Sequence, residues 1–152
     1  MSFQLATKIA LFCGLFLIFN KIPALNEKPG IYVNTPKIQD QESLKESINR
    51  GEIVYNDFCI QCHLPNGKGV QGVFPPLANS DWLIKKRTES IHSVKFGLQG
   101  EITVNGIKYN NLMPPMGLLD LEIADVMNYI MNSWGNTQDK IVTVEEVKAI
   151  EN

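Results

Sequence analysis

Apolar residues recur at the spacing of a helix in two stretches of this chain, and the pattern predicts two long helices. The first covers residues 41–58, where apolar side chains fall near every third or fourth position. The second covers residues 121–134, with Asp120 as a good N-cap and Gly135 as a stop signal. The residues expected on its buried face are Ile123, Val126, Met127, Ile130 and Trp134.

A glycine stands inside the first predicted helix. Glycine costs a helix interior about 1 kcal/mol relative to alanine, so Gly51 indicates that another helix crosses closely at this position. The second long helix is the expected partner. Tyr129 lies beside its buried face, where it is expected to pack against the first helix near Gly51 and Tyr55.

The remaining predicted elements are short. Helices are expected within residues 80–97 and 142–150. Residues 102–104 and 107–109 flank Asn105-Gly106, which is a strong signal for a two-residue β-hairpin turn. The chain is therefore predicted to be all-α with one small hairpin.

The N-terminal 24 residues are typical of a targeting segment. Lys8 is followed by an apolar run of eleven residues, 9–19, which is short for a spanning helix of about 20 residues and closer to the core of a secretory signal. We expect cleavage after Ala24, and the alternative is an uncleaved N-terminal anchor. A lipoprotein site at Cys13 is disfavoured, because Phe12 is bulky and the apolar run continues beyond the cysteine.

Residues 25–41 contain Pro29, Gly30 and Pro36 among mostly polar positions and show no period. They are predicted to form an irregular tether. A single compact domain is then expected at residues 42–152, because no internal repeat or low-complexity tract divides it.

Composition narrows the classes of protein. The chain has 152 residues, of which 20% are charged and 44% hydrophobic, so it is neither disordered nor a multi-span membrane protein. With 14 basic against 16 acidic residues it has no basic excess, which argues against nucleic acid as a partner. Three cysteines are too few for a disulfide scaffold.

One pentapeptide carries the chemistry. Cys59 to His63 spell Cys-x-x-Cys-His, the attachment signature of c-type haem. Two thiols three residues apart lie on one side of a helical turn, where both can add to the vinyl groups of one porphyrin. His63 directly follows the second thiol at Cys62 and can then donate a ring nitrogen to the iron.

Three other interpretations of this motif fit the sequence less well. A redox-active dithiol usually opens a helix in a βαβ unit, which the pattern does not contain. A zinc site needs four ligands, and after His63 the chain has only His92 and no further cysteine. A structural disulfide between Cys59 and Cys62 would leave His63 without a role.

A second iron ligand is expected if the protein carries electrons. Met127 lies in the strong helical pattern and is most simply core, and His92 lies in a polar helical stretch. Met113 and Met116 flank a proline pair in residues 110–117, which cannot form regular structure. A stiff loop holds a thioether at little entropic cost. Of the two methionines, spacing alone gives a modest preference for Met113.

The chain resembles the class I c-type cytochromes, which are mono-haem and His/Met-ligated, over about residues 47–152. More narrowly, it resembles the small cytochrome domains associated with nitrite reductases, quinoprotein dehydrogenases and terminal oxidases. It is carried by the haem motif and by the segments Gly51-x-x-x-Tyr55, Gly67-x-Gly69, residues 74–83, Met113-Pro114 and residues 129–136.

The resemblance implies a class I cytochrome c fold, with helices packed around one haem c that is attached through Cys59 and Cys62. In the family the methionine before a proline is the distal ligand, so Met113 is expected to bind iron opposite His63. The resemblance also implies that the carbonyl of Pro76 accepts from the proximal histidine and that Trp82 lies near the haem propionates.

The expected function is one-electron transfer in the periplasm, by a protein that is free or held at the inner membrane by its N-terminal segment. Donor and acceptor redox proteins would dock at the exposed haem edge near Cys59 and Cys62. The alternatives are a permanent haem subunit of a dehydrogenase or oxidase complex, and a haem peroxidase. The peroxidase is disfavoured because a bound Met113 would fill the sixth site on the iron.

Overall fold

The computed structural model describes residues 36–152, with side chains from Ser43 onward. The predicted targeting segment, and the predicted tether up to residue 35, lie outside the described residues. Within residues 36–152, no helix is both long and apolar enough to cross a membrane.

The described chain is mostly helical, as predicted, with one two-stranded antiparallel sheet. In chain order its elements are α1 (Pro36–Phe58), α2 (Ile60–His63), α3 (Asp81–Lys85), α4 (Arg87–Phe96), β1 (Ile102–Val104), β2 (Ile107–Tyr109), α5 (Asp120–Ile130) and α6 (Val144–Lys148). Both strands have the predicted bounds.

Helix α1 begins earlier than the pattern predicts. It starts at Pro36, so residues 36–41 of the predicted irregular tether are helical. Proline is tolerated in the first turn of a helix, because the N–H that it lacks has no intrahelical acceptor there. The tether prediction is therefore wrong for these residues.

The predicted helix over residues 80–97 is divided in two. Ser80 caps α3 by accepting a hydrogen bond from the Leu83 N–H at 3.4 Å. Lys86 then leaves the helical region, with φ −129° and ψ 51°, before α4 begins.

Helix α5 differs from its prediction at both ends. Leu119 is its N-cap rather than Asp120, and the Glu122 carboxylate accepts from the Leu119 N–H at 2.8 Å. The helix ends at Ile130 instead of residue 134, because the Asn136 side chain donates to the Ile130 carbonyl at 2.8 Å.

The core centres on the crossing of α1 and α5. Of the predicted buried face, Ile123, Val126, Met127 and Ile130 are all at most 4% exposed, and Trp134 packs against them. Gly51 lies at the crossing, as predicted. A side chain there would collide with the Asp125 backbone and stand 2.8 Å from the Tyr129 Cβ.

Three aromatic rings fill the space beside this crossing. Tyr55 and Tyr129 have ring centroids 5.4 Å apart, and each contacts Trp134 at 4.9 and 5.3 Å respectively. These are the separations at which tilted and edge-on aromatic pairs attract. The cluster therefore holds the end of α1 against the segment that follows α5.

The hairpin has the register that its turn residues predict. Ile102 is opposite Tyr109, and Asn105 and Gly106 have positive φ of 51° and 79°, as a type I′ turn requires. Its turn is attached to α3, because Asn105 donates its N–H to the Asp81 carboxylate at 2.7 Å and its side-chain oxygen accepts from the Asp81 N–H at 3.0 Å.

Replacement of Gly51 by leucine is expected to destabilise the protein by about 1–3 kcal/mol, because the inserted side chain overpacks the crossing of α1 and α5. Asn56→Leu is the matched control, since Asn56 is exposed on the same helix. The measurement is the free energy of unfolding by chemical denaturation of the haem-loaded protein. A change below about 0.5 kcal/mol in Gly51→Leu, the size of a harmless surface change, would contradict the close crossing.

Candidate cofactor site

Helix α2 places the cysteine–histidine motif on a single turn directly after α1. The Cys59 N–H donates to the Tyr55 carbonyl at 2.9 Å, and the His63 N–H donates to the Cys59 carbonyl at 3.0 Å. Cys59 is half-buried, Cys62 is exposed and His63 is only 8% exposed. Because α1 is anchored at the Gly51 crossing, the turn that follows it has a fixed position.

The His63 ring is oriented by a backbone carbonyl. Its Nδ1 lies 3.0 Å from the Pro75 oxygen. A carbonyl can only accept, so Nδ1 carries the proton and Nε2 keeps a free lone pair. Burial lowers the pKa of His63, which favours the neutral ring. A neutral imidazole with one nitrogen held in this way has the geometry of a metal ligand.

The prediction that Pro76 supplies this carbonyl is wrong. Pro75 and Phe74 each precede a proline, which restricts both to extended backbone. Successive carbonyls point in opposite directions in an extended chain, so a shift of one residue turns the Pro76 oxygen away from His63. Pro76 still lines the site.

The loop between His63 and Pro75 is held by its own hydrogen bonds. The Gly67 carbonyl accepts from the N–H groups of both Leu77 and Ala78, at 2.7 and 2.9 Å. The Tyr55 hydroxyl donates to the Leu64 carbonyl at 2.7 Å, which attaches the start of the loop to α1. The Pro75 oxygen therefore presents a fixed acceptor to His63.

Met113 is clamped through its backbone. It exchanges two hydrogen bonds with Leu98, at 2.8 Å from the Leu98 N–H and 2.9 Å from its own N–H. Close by in the same loop, the Asn111 side chain donates to the Val73 carbonyl at 3.0 Å. These contacts fix the loop at two points, Asn111 and Met113.

Two adjoining cavities occupy the space between His63 and Met113. Six residues line both cavities: Cys59, His63, Pro75, Leu98, Ile102 and Met113. Cys62 and Met116 line only the first cavity, and Trp82 and Pro76 line only the second.

All six predicted site residues line at least one of the two cavities, and Cys59, His63 and Met113 line both. The other candidate ligands lie elsewhere. His92 lines neither cavity, and its ring lies 5.1 Å from that of Phe96. Met127 is fully buried in the core, as predicted.

The surroundings of Cys59 and Cys62 argue against the other three interpretations of the motif, which are a redox-active dithiol, a disulfide and a zinc site. Burial raises the pKa of the Cys59 thiol to about 11, whereas a redox-active dithiol needs a lowered pKa. Both thiols are free, so there is no Cys59–Cys62 disulfide. Among residues 36–152, no three His, Cys, Asp or Glu side chains converge to hold a metal ion, which gives a zinc site no support.

The donor set and the cavity fit a haem. A neutral imidazole nitrogen and a soft thioether both border one large apolar space, and two free cysteines lie beside the imidazole. Imidazole and thioether are a usual pair of axial ligands to haem iron.

Sequence reasoning missed three residues that shape the site. The acceptor for His63 is Pro75, one position before the predicted Pro76. Leu98, which clamps Met113, carries no sequence signal. Tyr109 lines the first cavity and is 4% exposed. The alternation of the hairpin strands does indicate that Ile107 and Tyr109 share a face, although not which side of the sheet is covered.

The chain is similar to one family model and to several known proteins. The family model for cytochrome c matches residues 48–134. A cytochrome c-552 of Thermus thermophilus is 43% identical over 101 residues, which cover 60% of this chain and 77% of the relative. The CcoP subunit of the cbb3-type cytochrome c oxidase of Cereibacter sphaeroides is 32% identical, over 70% of this chain and 37% of the subunit. The cytochrome c subunit of the quinone alcohol dehydrogenase of Gluconobacter oxydans is 27% identical, over 67% of this chain and 22% of the subunit.

Proposed function

Since the chain belongs to the cytochrome c family, we propose that Cys59 and Cys62 attach one haem c and that His63 and Met113 are its axial ligands. The family transfers electrons through covalently bound haem c, which when bound cycles between ferrous and ferric iron. The main observation that supports this proposal is that His63 and Met113 both border the two cavities, with the Nε2 of His63 free to bind a metal.

The surroundings of each ligand suit an electron carrier. The hydrogen bond from Nδ1 of His63 to the Pro75 carbonyl fixes the ring and makes the ligand nitrogen more basic. The thioether of Met113 is a soft ligand that favours ferrous iron and raises the reduction potential. Because the Met113 backbone is clamped to Leu98, its thioether would be held ready to bind the iron of a bound haem. An iron with both ligands supplied by the protein would suit a carrier better than a peroxidase.

Electrons are proposed to enter and leave at the first cavity. Apolar side chains at its border remain exposed, with Phe58 at 43%, Val73 at 39% and Leu112 at 66%. Cys62 is also exposed there. A small apolar surface of this kind suits brief docking of redox partner proteins.

Two modes of action are consistent with this site. We favour a carrier that diffuses between its partners, because the relative cytochrome c-552 matches over most of its length. The second mode is a permanent haem subunit, since the other relatives are named as subunits of an oxidase and a dehydrogenase. In both modes the site itself carries out no substrate chemistry.

Replacement of Cys59 and Cys62 together by serine is expected to give a chain without covalent haem, because no thioether bond can then form. Either single replacement should leave at most one bond. Haem staining after denaturing electrophoresis makes the measurement. Normal staining of the double variant would contradict the attachment site.

Met113→Ala is expected to remove the near-infrared charge-transfer band of thioether-bound ferric haem, to lower the reduction potential and to allow rapid binding of carbon monoxide to the reduced protein. Loss of the soft ligand is the cause of all three changes. Met116→Ala is the matched control, because Met116 lies in the same loop and lines only the first cavity. It should keep the band.

The reverse pattern would move the ligand to Met116. If the band survives in both single variants, the double variant decides whether the two methionines substitute for each other. Persistence of the band in the double variant would exclude both as ligands.

The haem-loaded protein is expected on the periplasmic side of the inner membrane, because haem c is attached outside the cytoplasm and residues 1–24 have the pattern of a secretory signal. Cell fractionation tests this, and holoprotein in the cytosol would contradict it. The mass of the mature chain distinguishes cleavage after Ala24 from a retained anchor. Gel filtration of a native extract with haem staining distinguishes a free carrier from a permanent subunit.

A further inference from the structure

The backbone of Leu64, directly after the proposed haem ligand His63, is strained. It combines a φ of 64° with a ψ of 162°, a region that almost only glycine adopts. Pro65 accounts for the ψ, because a residue before proline is pushed to extended values. A glycine commonly supplies the positive φ at the end of a helix, and here a leucine stands in its place. Such a conformation persists only where the surrounding structure holds it.

Three backbone hydrogen-bonding contacts hold Leu64. Its N–H donates to the Ile60 carbonyl at 2.9 Å, within the turn of α2. Its carbonyl accepts from the Gly67 N–H at 3.0 Å, within the loop that follows. The same carbonyl accepts from the Tyr55 hydroxyl at 2.7 Å. Of the three, the bond from Tyr55 is the one that ties the strained residue to α1.

The Tyr55 hydroxyl has a fixed position. Tyr55 is fully buried, and its ring centroid lies 5.4 Å from that of Tyr129 and 4.9 Å from that of Trp134. Trp134 also covers Gly67, where a side chain would collide with the indole ring. Burial raises the pKa of Tyr55, so the hydroxyl stays protonated and can donate. The aromatic cluster therefore presents a rigid donor to the Leu64 carbonyl.

The conformation of Leu64 decides where the loop leads after His63. This loop returns to the histidine twice. The Gly69 N–H donates to the His63 carbonyl at 3.0 Å, and the Pro75 carbonyl accepts from the His63 ring at 3.0 Å. Rotation of Leu64 about φ swings the loop relative to His63. Relaxation of Leu64 to negative φ therefore moves the Pro75 oxygen away from Nδ1.

We propose that the Tyr55 hydroxyl holds Leu64 in its strained conformation and thereby sets the hydrogen bond between His63 and Pro75. This inference rests on the proposed haem site and deepens it. Tyr55 lines neither cavity, so it is a positioning residue that acts through the loop. A hydrogen bond from Nδ1 makes the other ring nitrogen a more basic ligand, which favours ferric iron. The Tyr55 hydroxyl thus keeps the reduction potential of the bound haem lower than a relaxed loop would.

The test uses the haem-loaded protein and two measurements on the His63 ligand. These are the reduction potential and the proton resonance of Nδ1–H in the NMR spectrum of the ferrous protein. Tyr55→Phe removes the hydroxyl and keeps the ring. It should raise the potential and move the resonance to lower chemical shift, because the hydrogen bond to Pro75 weakens. Tyr129→Phe is the matched control, since its hydroxyl belongs to the same aromatic cluster and bonds Ser133. It should leave both measurements unchanged.

Glycine at position 64 separates this role from a general loss of packing. Glycine adopts the conformation of Leu64 without strain, so Tyr55→Phe should alter neither measurement when it is made in a Leu64→Gly protein. Leu64→Ala is the control background, because alanine shortens the side chain and keeps the strain. In that background Tyr55→Phe should still move both the potential and the resonance.

An unchanged Nδ1–H resonance in haem-loaded Tyr55→Phe protein would overturn the proposal. A shift of the same size in the Leu64→Gly background would also overturn it. If Tyr55→Phe takes up no haem, the double variant with Leu64→Gly decides: recovered haem uptake supports the proposal, and no recovery overturns it. Failure of the wild-type chain to bind haem would instead refute the proposed function itself.

Discussion

The close crossing of α1 and α5 at Gly51 is the constraint on which the site depends. Helix α1 runs directly into the turn that carries Cys59 and His63, so the position of α1 on α5 determines where that turn lies. After α5, the Asn136 amide donates to the carbonyls of both Ile130 and Leu77. The same helix pair therefore also positions the loop that supplies the acceptor for His63.

Buried polar side chains hold this pair and the C-terminal segment in register. Asp125 on α5 accepts from Ser47 at 2.6 Å and from the guanidinium of Arg50 at 2.7 Å, so its charge is paired across the crossing. Further along, Arg87 donates to both carboxylate oxygens of Glu146, at 2.7 and 2.8 Å, and holds the pKa of that carboxyl below its usual value. Paired charges in fixed geometry favour one arrangement of helices over others.

The sequence was sufficient to predict elements with strong local signals. The hairpin around Asn105-Gly106 has its predicted bounds, since only residues that tolerate positive φ suit such a turn. The crossing at Gly51 was predictable because glycine destabilises the interior of a helix, so its presence there indicates that another helix crosses closely. The end of α5 was not, because it depends on Asn136, a side chain beyond the helix. The role of Pro75 was missed for a similar reason, since the direction of a carbonyl depends on the whole loop.

The absence of charged side chains from the described walls of both cavities has a consequence for the speed of electron transfer. When an electron arrives, the surroundings must rearrange to the new charge, and mobile charges and water make that reorganisation costly. Here the polar groups nearest the site, such as the Pro75 carbonyl and the Asn111 amide, are already held in hydrogen bonds. A preorganised apolar wall of this kind responds little to the change in charge. For a haem bound between these walls, such a wall would keep the reorganisation energy of electron exchange low.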